Sequence, residues 1–387
     1  MQRKSYLKEI HTLLSIHPIC AILGPRQVGK TTLANMYIEQ YFKDNTRFFD
    51  LENPLHLAQL ENPMLTLSNV EQEFIVIDEI QRRADLFPVL RVLVDTDKKR
   101  KFLILGSASR DLLRQSSETL AGRIAYIELP PFGLAETKES KKLWLRGGFP
   151  RSYLAKTDQA SYIWRQHYLT TFLENDIPNL GFQIPPAQMR RFWLMLAHYH
   201  GQIFNASEMS RSLSISYHTV NNYLDILVGT FMVRRLTPWI ENIQKRQVKS
   251  PKIYFRDSGI LNALLLINTQ TELQTFPRLG AFWEGFALEE VILCLQASSQ
   301  ECFFWATQSD AELDLFIIKG GKRLGFEFKY GDSPKITKSM HIALQDLQLD
   351  SLTLIYPGKD IFPLDQKITA YGLQTLITGE FQKAFLS

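Results

Sequence analysis

The chain has 387 residues, 45% apolar and 22% charged, with a net charge of +4 at pH 7. That composition belongs to a globular protein and excludes a disordered or collagen-like chain, and the length implies roughly two to four domains. The three cysteines, Cys20, Cys294 and Cys302, have neither metal-ligand spacing nor a disulfide framework, which fits a reducing compartment. No apolar run is long enough to span a bilayer, and the basic N-terminus lacks the apolar segment of a signal peptide. A cytoplasmic protein without a membrane partner is therefore expected. The mild positive excess permits a nucleic-acid partner without arguing for one.

Residues 2–16 predict an amphipathic helix with Tyr6, Ile10, Leu13 and Leu14 on one side. Ile19–Leu23 reads as a buried strand with Cys20 inside it, and Thr32–Phe42 as a helix. Between them, Gly24-Pro25-Arg26-Gln27-Val28-Gly29-Lys30-Thr31 matches G-x-x-x-x-G-K-[ST] at every fixed position. Glycines let such a loop curl its N–H groups inward, and the helix N-terminus adds partial positive charge, so the segment is suited to phosphate. Gly24 to Thr31, with Thr32, are the candidate nucleotide-binding residues. Lys30 would reach the β- and γ-phosphates, and Thr31 would offer its hydroxyl to Mg²⁺. Arg26 is expected to face solvent or a neighbouring subunit.

Further strands follow at Arg47–Leu51, Phe74–Asp78, Lys101–Leu105 and Ile124–Leu129, most of them separated by helical patterns such as Leu86–Val94. Alternation of this kind predicts a parallel α/β sheet covered on both faces, ending at Pro130-Pro131. The third strand ends in Asp78-Glu79. Acids at the C-terminal end of such a strand can hold Mg²⁺ (Asp78) and polarise water (Glu79). A helix N-cap pair is the alternative reading. Ser107, after the fourth strand, is the candidate sensor of the γ-phosphate or the water; a turn residue is the alternative. Arg123 is the candidate for stabilising transition-state charge, in cis or from a neighbouring subunit, against a surface salt bridge.

Residues 133–183 read as helical, including Ala160–Phe172, and 187–234 as helical with a break near Gly201. Ser207 is the expected N-cap of a short helix ending at Leu213, and Ser216–Leu227 the second member of a helix–turn–helix. Its inward side carries Val220, Tyr223, Leu224 and Leu227, its outward side His218, Asn221 and Asn222. From Arg234 to Arg256 there are seven Arg/Lys and one acid, Glu241. Lys245, Arg246, Lys249 and Lys252 would form a phosphate-contacting wing. Contact with protein is the alternative.

Near the C-terminus a helix, Leu279–Leu295, precedes strands Glu301–Ala306, Leu313–Ile318 and Leu324–Lys329, with Leu352–Tyr356 later. Strand alternation puts Glu312 and Asp314 on one face, and likewise Glu327 and Lys329. With Gly320-Gly321 as hairpin connection, Asp314 would lie beside Glu327 and Lys329, and Glu284 could point to the same place. This order resembles the D…E-x-K core of the restriction-endonuclease-like fold, in which carboxylates bind Mg²⁺ and the lysine steadies water. Glu284, Asp314 and Glu327 are thus a candidate second metal site with Lys329; charges on an amphipathic strand are the alternative.

Taken together, the chain resembles the prokaryotic AAA-type ATPases that carry a C-terminal domain of unknown function. The matching pieces are Gly24–Thr31, Asp50-Leu51-Glu52-Asn53-Pro54, Ile77-Asp78-Glu79-Ile80-Gln81, Leu105–Ser109 with Leu120–Arg123, Arg146-Gly147-Gly148-Phe149-Pro150 and Lys252–Gly259. They run in order along nearly the whole chain. The resemblance implies an α/β fold overall: a P-loop ATPase core (1–132), a helical segment (133–186), a winged-helix-like segment (187–256) and a restriction-endonuclease-like domain (257–387). It implies ATP rather than GTP. Three readings of function remain open: an ATPase acting with nucleic acid, a nucleotide-dependent protein-binding switch with a non-catalytic C-terminal domain, and an ATP-regulated Mg²⁺-dependent nuclease. Assembly into a ring or dimer is allowed, and a trans role for Arg123 would require it.

Overall fold

In a computed structural model of the chain, residues 3–109, 120–241, 246–308, 311–331 and 333–386 are described, and they fall into two units. The first comprises Met1–Pro131, Glu174–Ile184 and Asp225–Met232; the second comprises Phe132–Leu173, Pro185–Leu224 and Val233–Ser387.

The first unit is built on β1 (Ile19–Leu23), β2 (Thr46–Asp50), β3 (Phe74–Asp78), β4 (Lys101–Gly106) and β5 (Ile124–Glu128). They pair in parallel in the order β2-β3-β4-β1-β5. Strands buried on both faces need apolar residues at every position, which is why β1 and β3 read as continuous apolar runs. One face carries Ile19, Ala21, Ile75, Ile77, Phe102 and Ile104 against Leu86, Phe87, Leu90 and Leu93 of the helix Leu86–Thr96. The other carries Cys20, Ile22, Val76, Leu103 and Leu105 against the helices Lys4–Ile16 and Lys30–Tyr41. The two later segments belong here because they feed the first face: Phe231 is buried in it and Leu180 packs on it.

The second unit holds a mixed sheet of nine strands in the order β13-β14-β12-β11-β10-β9-β7-β8-β6. These are β6 (Gln202–Ile203), β7 (Val233–Pro238), β8 (Lys252–Phe255), β9 (Cys302–Ala306), β10 (Glu312–Lys319), β11 (Lys322–Phe328), β12 (Ser351–Tyr356), β13 (Ile361–Asp365) and β14 (Ile368–Gly372). The ladder runs through β7 into β9, so the strands before and after residue 256 share one sheet. The β10–β11 connection is Gly320-Gly321, both at positive φ (58° and 78°), as a tight hairpin turn of this hand requires.

Two motifs quoted above without a role meet in this unit. Asp257 accepts from the N–H of Gly148 at 2.7 Å and from that of Ile260 at 2.9 Å, tying a loop to a helix start. A Cβ on Gly259 would lie 2.1 Å from the Arg146 carbonyl oxygen, so only glycine allows that approach.

The expected helix–turn–helix is present as Ala206–Leu213 and Tyr217–Gly229, joined at Ser214 in the left-handed region. Its N-cap is Asn205 rather than Ser207: the Asn205 side chain accepts from the Glu208 N–H at 3.2 Å, two residues earlier than the sequence pattern placed the cap. Val220, Tyr223, Leu224 and Leu227 are buried, and His218 and Asn222 are exposed.

Candidate functional site

The glycine loop leaves the C-terminal end of β1 and enters the helix Lys30–Tyr41 through Gly29, whose φ of 98° supplies the left-handed bend before the first helical N–H groups. Gly24 lies so close to the next strand that a Cβ would sit 2.3 Å from the Leu129 carbonyl oxygen. Pro25 and Val28 are buried, Gln27 is exposed at a φ of 63°, and Thr32 stands exposed in the first helical turn. The Lys30 ammonium is buried and donates to the carbonyls of Gly24 and Pro25, each at 3.0 Å. Burial depresses its pKa against the opposing pull of Glu79 and Asp78.

Asp78 closes β3, and the Thr31 hydroxyl donates to its Oδ2 at 2.6 Å. Burial raises the Asp78 pKa, countered by that hydrogen bond. Glu79 follows in the left-handed region (φ 58°, ψ 46°), a conformation uncommon for a side chain of its kind. It faces the end of β4, where Ser107 Oγ donates to Glu79 Oε2 at 3.3 Å. Gln81 bridges the two: its amide donates to Ser107 Oγ at 2.8 Å and to Glu79 Oε2, and its Oε1 accepts from the Ser107 N–H at 3.3 Å. Three strand ends thus present Lys30 and Thr31, Asp78 and Glu79, and Ser107 at one edge of the sheet.

Arg123 lies at the other edge. Its carbonyl accepts from the Ile19 N–H, at the start of β1, and its guanidinium grips Asp95 through Nε (2.7 Å) and Nη2 (2.9 Å). Five strand residues separate that end of β1 from the loop, roughly 15 Å at ~3.3 Å per residue. The expectation of a cis role for Arg123 is therefore corrected: residues just before a parallel strand lie opposite its phosphate-binding end. Arg26 is corrected too. Its half-buried guanidinium is engaged within the chain: Nη1 donates to Asp176 at 2.5 Å and Nη2 to Glu52 at 2.8 Å.

In the second unit, Asp314, Glu327, Lys329 and Glu284 do converge. The β10–β11 register pairs Leu315 with Phe326, and Asp314 Oδ2 accepts from the Phe328 N–H at 3.1 Å. Lys329 Nζ is 3.0 Å from Glu327 Oε2. At the centre stands Lys252, buried, with its Nζ 3.5 Å from Glu284, 3.7 Å from Asp314 and in contact with Glu312. The Tyr254 hydroxyl donates to Glu284 at 2.5 Å. Burial opposes the Lys252 charge, yet Tyr254 and the carboxylates hold its pKa well above the ordinary lysine range. Burial, then Asp314, raises Glu284 to about 7, and burial with Asp314 pushes Glu327 up as well.

This overturns two expectations. Lys252 is not a wing residue: its ammonium lies against Glu284, Glu312 and Asp314, while Glu327 pairs with Lys329, and among the described residues no group of three or more His, Cys, Asp or Glu is arranged to hold a metal. Arg234 is likewise buried against Glu289 at 2.5 and 2.8 Å, and Arg256 lies 4.0 Å from the same acid. Arg246 and Lys249 remain exposed; Lys245 lies outside the described residues.

An AAA domain family matches residues 16–138, a domain of unknown function (DUF8612) matches residues 137–271 and a second one (DUF4143) matches residues 279–376. The uncharacterized protein Rv2008c of Mycobacterium tuberculosis is 46% identical over 381 residues, spanning 98% of this chain and 85% of that protein. The chain belongs to the AAA-type ATPases with a C-terminal domain of unknown function. The uncharacterized protein Mb2031c of Mycobacterium bovis gives the same identity and coverage. Among solved structures, the Walker-type ATPase PABY2304 of Pyrococcus abyssi is 14% identical with a TM-score of 0.47, covering 68% of this chain and 95% of that one. The RuvB Holliday junction branch migration motor of Thermotoga maritima is 17% identical with a TM-score of 0.30, covering 60% and 89%. No described helix of this AAA-type ATPase is long and apolar enough to cross a membrane.

Three residues that matter to these sites were not assigned there by sequence reasoning. Gln81 sits inside a quoted motif, and its spacing two residues beyond Glu79 was the available signal. Lys252 also lay in a quoted motif, but its burial depends on β8 pairing between β6 and β7. Asp176, 150 residues from Arg26, left no local signal at all.

Proposed function

We propose that this AAA-type ATPase binds and hydrolyses ATP in the presence of Mg²⁺. The observation that carries the reading is the joined pair of contacts at the strand ends: Thr31 with Asp78, and Glu79 with Gln81 and Ser107. The Thr31 hydroxyl and Asp78 carboxylate are hard oxygen donors suited to Mg²⁺, which when bound neutralises phosphate charge. Lys30 supplies the second positive charge, and the loop N–H groups orient the phosphates. Glu79 orients and polarises the attacking water, while Gln81 holds Glu79 and Ser107 in fixed relation. Arg123 enters only if a second copy of the chain presents it.

The second unit is read as a binding module, with nucleic acid the partner the residues favour. A groove of about 340 Å³ beside the helix pair is lined by Ser207, Tyr217, Asn221, Arg235 and Lys249. Tyr217 is 59% exposed, and an open aromatic ring beside cationic side chains suits stacked bases and phosphates. Cleavage is not part of the reading: Lys252 Nζ lies against Glu284, Glu312 and Asp314, and among the described residues no group of three or more His, Cys, Asp or Glu is arranged to hold a metal. ATP turnover measured with and without DNA and RNA, with Lys30→Ala alongside, tests both statements. Turnover that Lys30→Ala abolishes and nucleic acid stimulates is expected. Turnover surviving in Lys30→Ala would defeat the ATP-site reading; turnover and binding indifferent to nucleic acid would turn the partner reading toward protein.

A further inference from the structure

Arg26 occupies the third position of the phosphate-binding loop, and both its hands are filled by carboxylates of the same unit. Nη1 holds Asp176 at 2.5 Å and Nη2 holds Glu52 at 2.8 Å. Arg82 extends the chain of charges, 3.9 Å from Glu52. Asp176 is only 7% exposed, delivered by the segment Glu174–Ile184 that the first unit takes from far along the sequence. A buried carboxylate beside a loop built for anions is an anomaly unless it has something to do there.

Geometry suggests what that is. A guanidinium is a planar fork that fits carboxylate and phosphate alike. The same fork now holding Asp176 can take phosphate oxygens without changing its own charge state. Asp176 is also close enough for its charge to act on Lys30, and Glu79 acts on both Arg26 and Asp176. Lys30 and Glu79 mark the terminal-phosphate end of the site. Asp176 thus holds, through Arg26, a cation of the loop at the end where a terminal phosphate would sit.

We propose that Arg26 is the residue of this site that contacts the γ-phosphate, and that Asp176 is a carboxylate stand-in that holds it until a nucleoside triphosphate arrives. The proposal rests on the ATP-site reading above. On binding, Arg26 exchanges Asp176 for phosphate oxygens; no covalent bond changes. Asp176, losing its partner and facing the phosphate's charge, withdraws, and Glu174–Ile184 loosens with it. A diphosphate leaves the Arg26–Asp176 pair in place, so the segment distinguishes triphosphate from diphosphate.

The test is equilibrium binding of fluorescent ATPγS and ADP analogues to the full chain with Mg²⁺, comparing wild type, Lys30→Ala, Arg26→Ala, Asp176→Asn and Glu52→Gln. Asp176→Asn should bind the triphosphate about tenfold more tightly, and the diphosphate within about twofold of wild type, because one repelling charge near the γ-position is gone. Glu52→Gln, a more exposed site, should shift in the same direction by less. Arg26→Ala should lose about tenfold for the triphosphate and little for the diphosphate. In wild type, which needs no substitution to fold, amide exchange over Glu174–Ile184 should rise with ATPγS and not with ADP. Binding lost in Lys30→Ala but with unaltered triphosphate preference in the other variants, or exchange indifferent to the γ-phosphate, overturns this inference alone. Absence of binding to either nucleotide in wild type overturns the ATP-site reading and this inference with it.

Discussion

Lys252→Met keeps the length of the side chain and removes its charge, which makes it the sharpest probe of the acidic cluster. The Lys252 side chain is 5% exposed and its ammonium faces Glu284, Glu312 and Asp314. Breaking a buried charge cluster by deleting one partner costs about 3–5 kcal/mol. Glu312, with its side chain 43% exposed, can turn toward water, so the lower end, about 3 kcal/mol, is the expectation at pH 8. The cost should fall at lower pH. Glu284 has its pKa raised to about 7 by burial and by Asp314, so it is largely protonated at about pH 6 and then needs no cation. Removing the ammonium raises that pKa further, so the variant binds more protons folded than unfolded and loses stability as pH rises. A penalty smaller by about 1 kcal/mol at pH 6 than at pH 8 follows. The assay is urea unfolding followed by tryptophan fluorescence: all six tryptophans (Trp144, Trp164, Trp193, Trp239, Trp283 and Trp305) lie in the second unit and report it selectively. A midpoint equal to wild type at pH 8, or an equal loss at both pH values, would refute the claim that Lys252 is the resident cation.

Gln81→Ala should lower kcat about 10- to 100-fold with KM nearly unchanged, because it misorients Glu79 without touching the phosphate loop; a pure KM effect would remove Gln81 from the catalytic arrangement. Glu290, whose Oε2 accepts from the Leu134 N–H at 2.6 Å, has its pKa raised to about 8 by burial. Its folded value exceeds its unfolded one, so its contribution is full below about pH 4.5 and lost as pH rises to about 8, at up to ~1.4 kcal/mol per pH unit. Glu290→Gln should flatten the stability–pH curve in that window; an unaltered slope would count against the buried carboxyl. Arg246→Ala with Lys249→Ala should weaken nucleic-acid binding and reduce the salt slope by about 2; an unchanged slope would place the contacts elsewhere.

The candidate nucleotide site, as an arrangement of strand ends and glycine loop, was legible because its parts are local. Strand, glycine loop and helix are consecutive, and Asp78-Glu79 ends an apolar strand whose only reasonable place is inside a parallel sheet. The convergence of Asp314 with Glu327 was legible for a similar reason: a two-residue glycine connection sets the register of the hairpin. What escaped depended on distant partners. Seven basic residues over Arg234–Arg256 looked like a surface, yet Arg234 and Lys252 are buried against Glu289 and against Glu284 and Asp314, acids brought by a later helix and strand. Edge strand β13 was missed because Pro363 interrupts it and every second residue faces water, a pattern shared with loops.

The two arginines considered for charge stabilisation show how topology decides such a question. In a parallel sheet every strand begins at one edge and ends at the other, so a residue just before β5 lies near the start of β1, where Arg123 is paired to Asp95. No rotamer of an arginine side chain spans the remaining strand length. A cis arginine must come from the loops at the carboxyl edge, and the described residues there include Arg26 in the phosphate loop and Arg82 in the turn Ile80–Arg83 after β3, both already engaged with Glu52. Arg26 alone is also held by an acid from outside the core sequence of the first unit. If turnover in the full chain depends on Arg26 at all dilutions, the site is complete within one copy. If it depends on Arg123 and falls on dilution, a second copy must complete it, and Arg26 then serves only to discriminate the triphosphate.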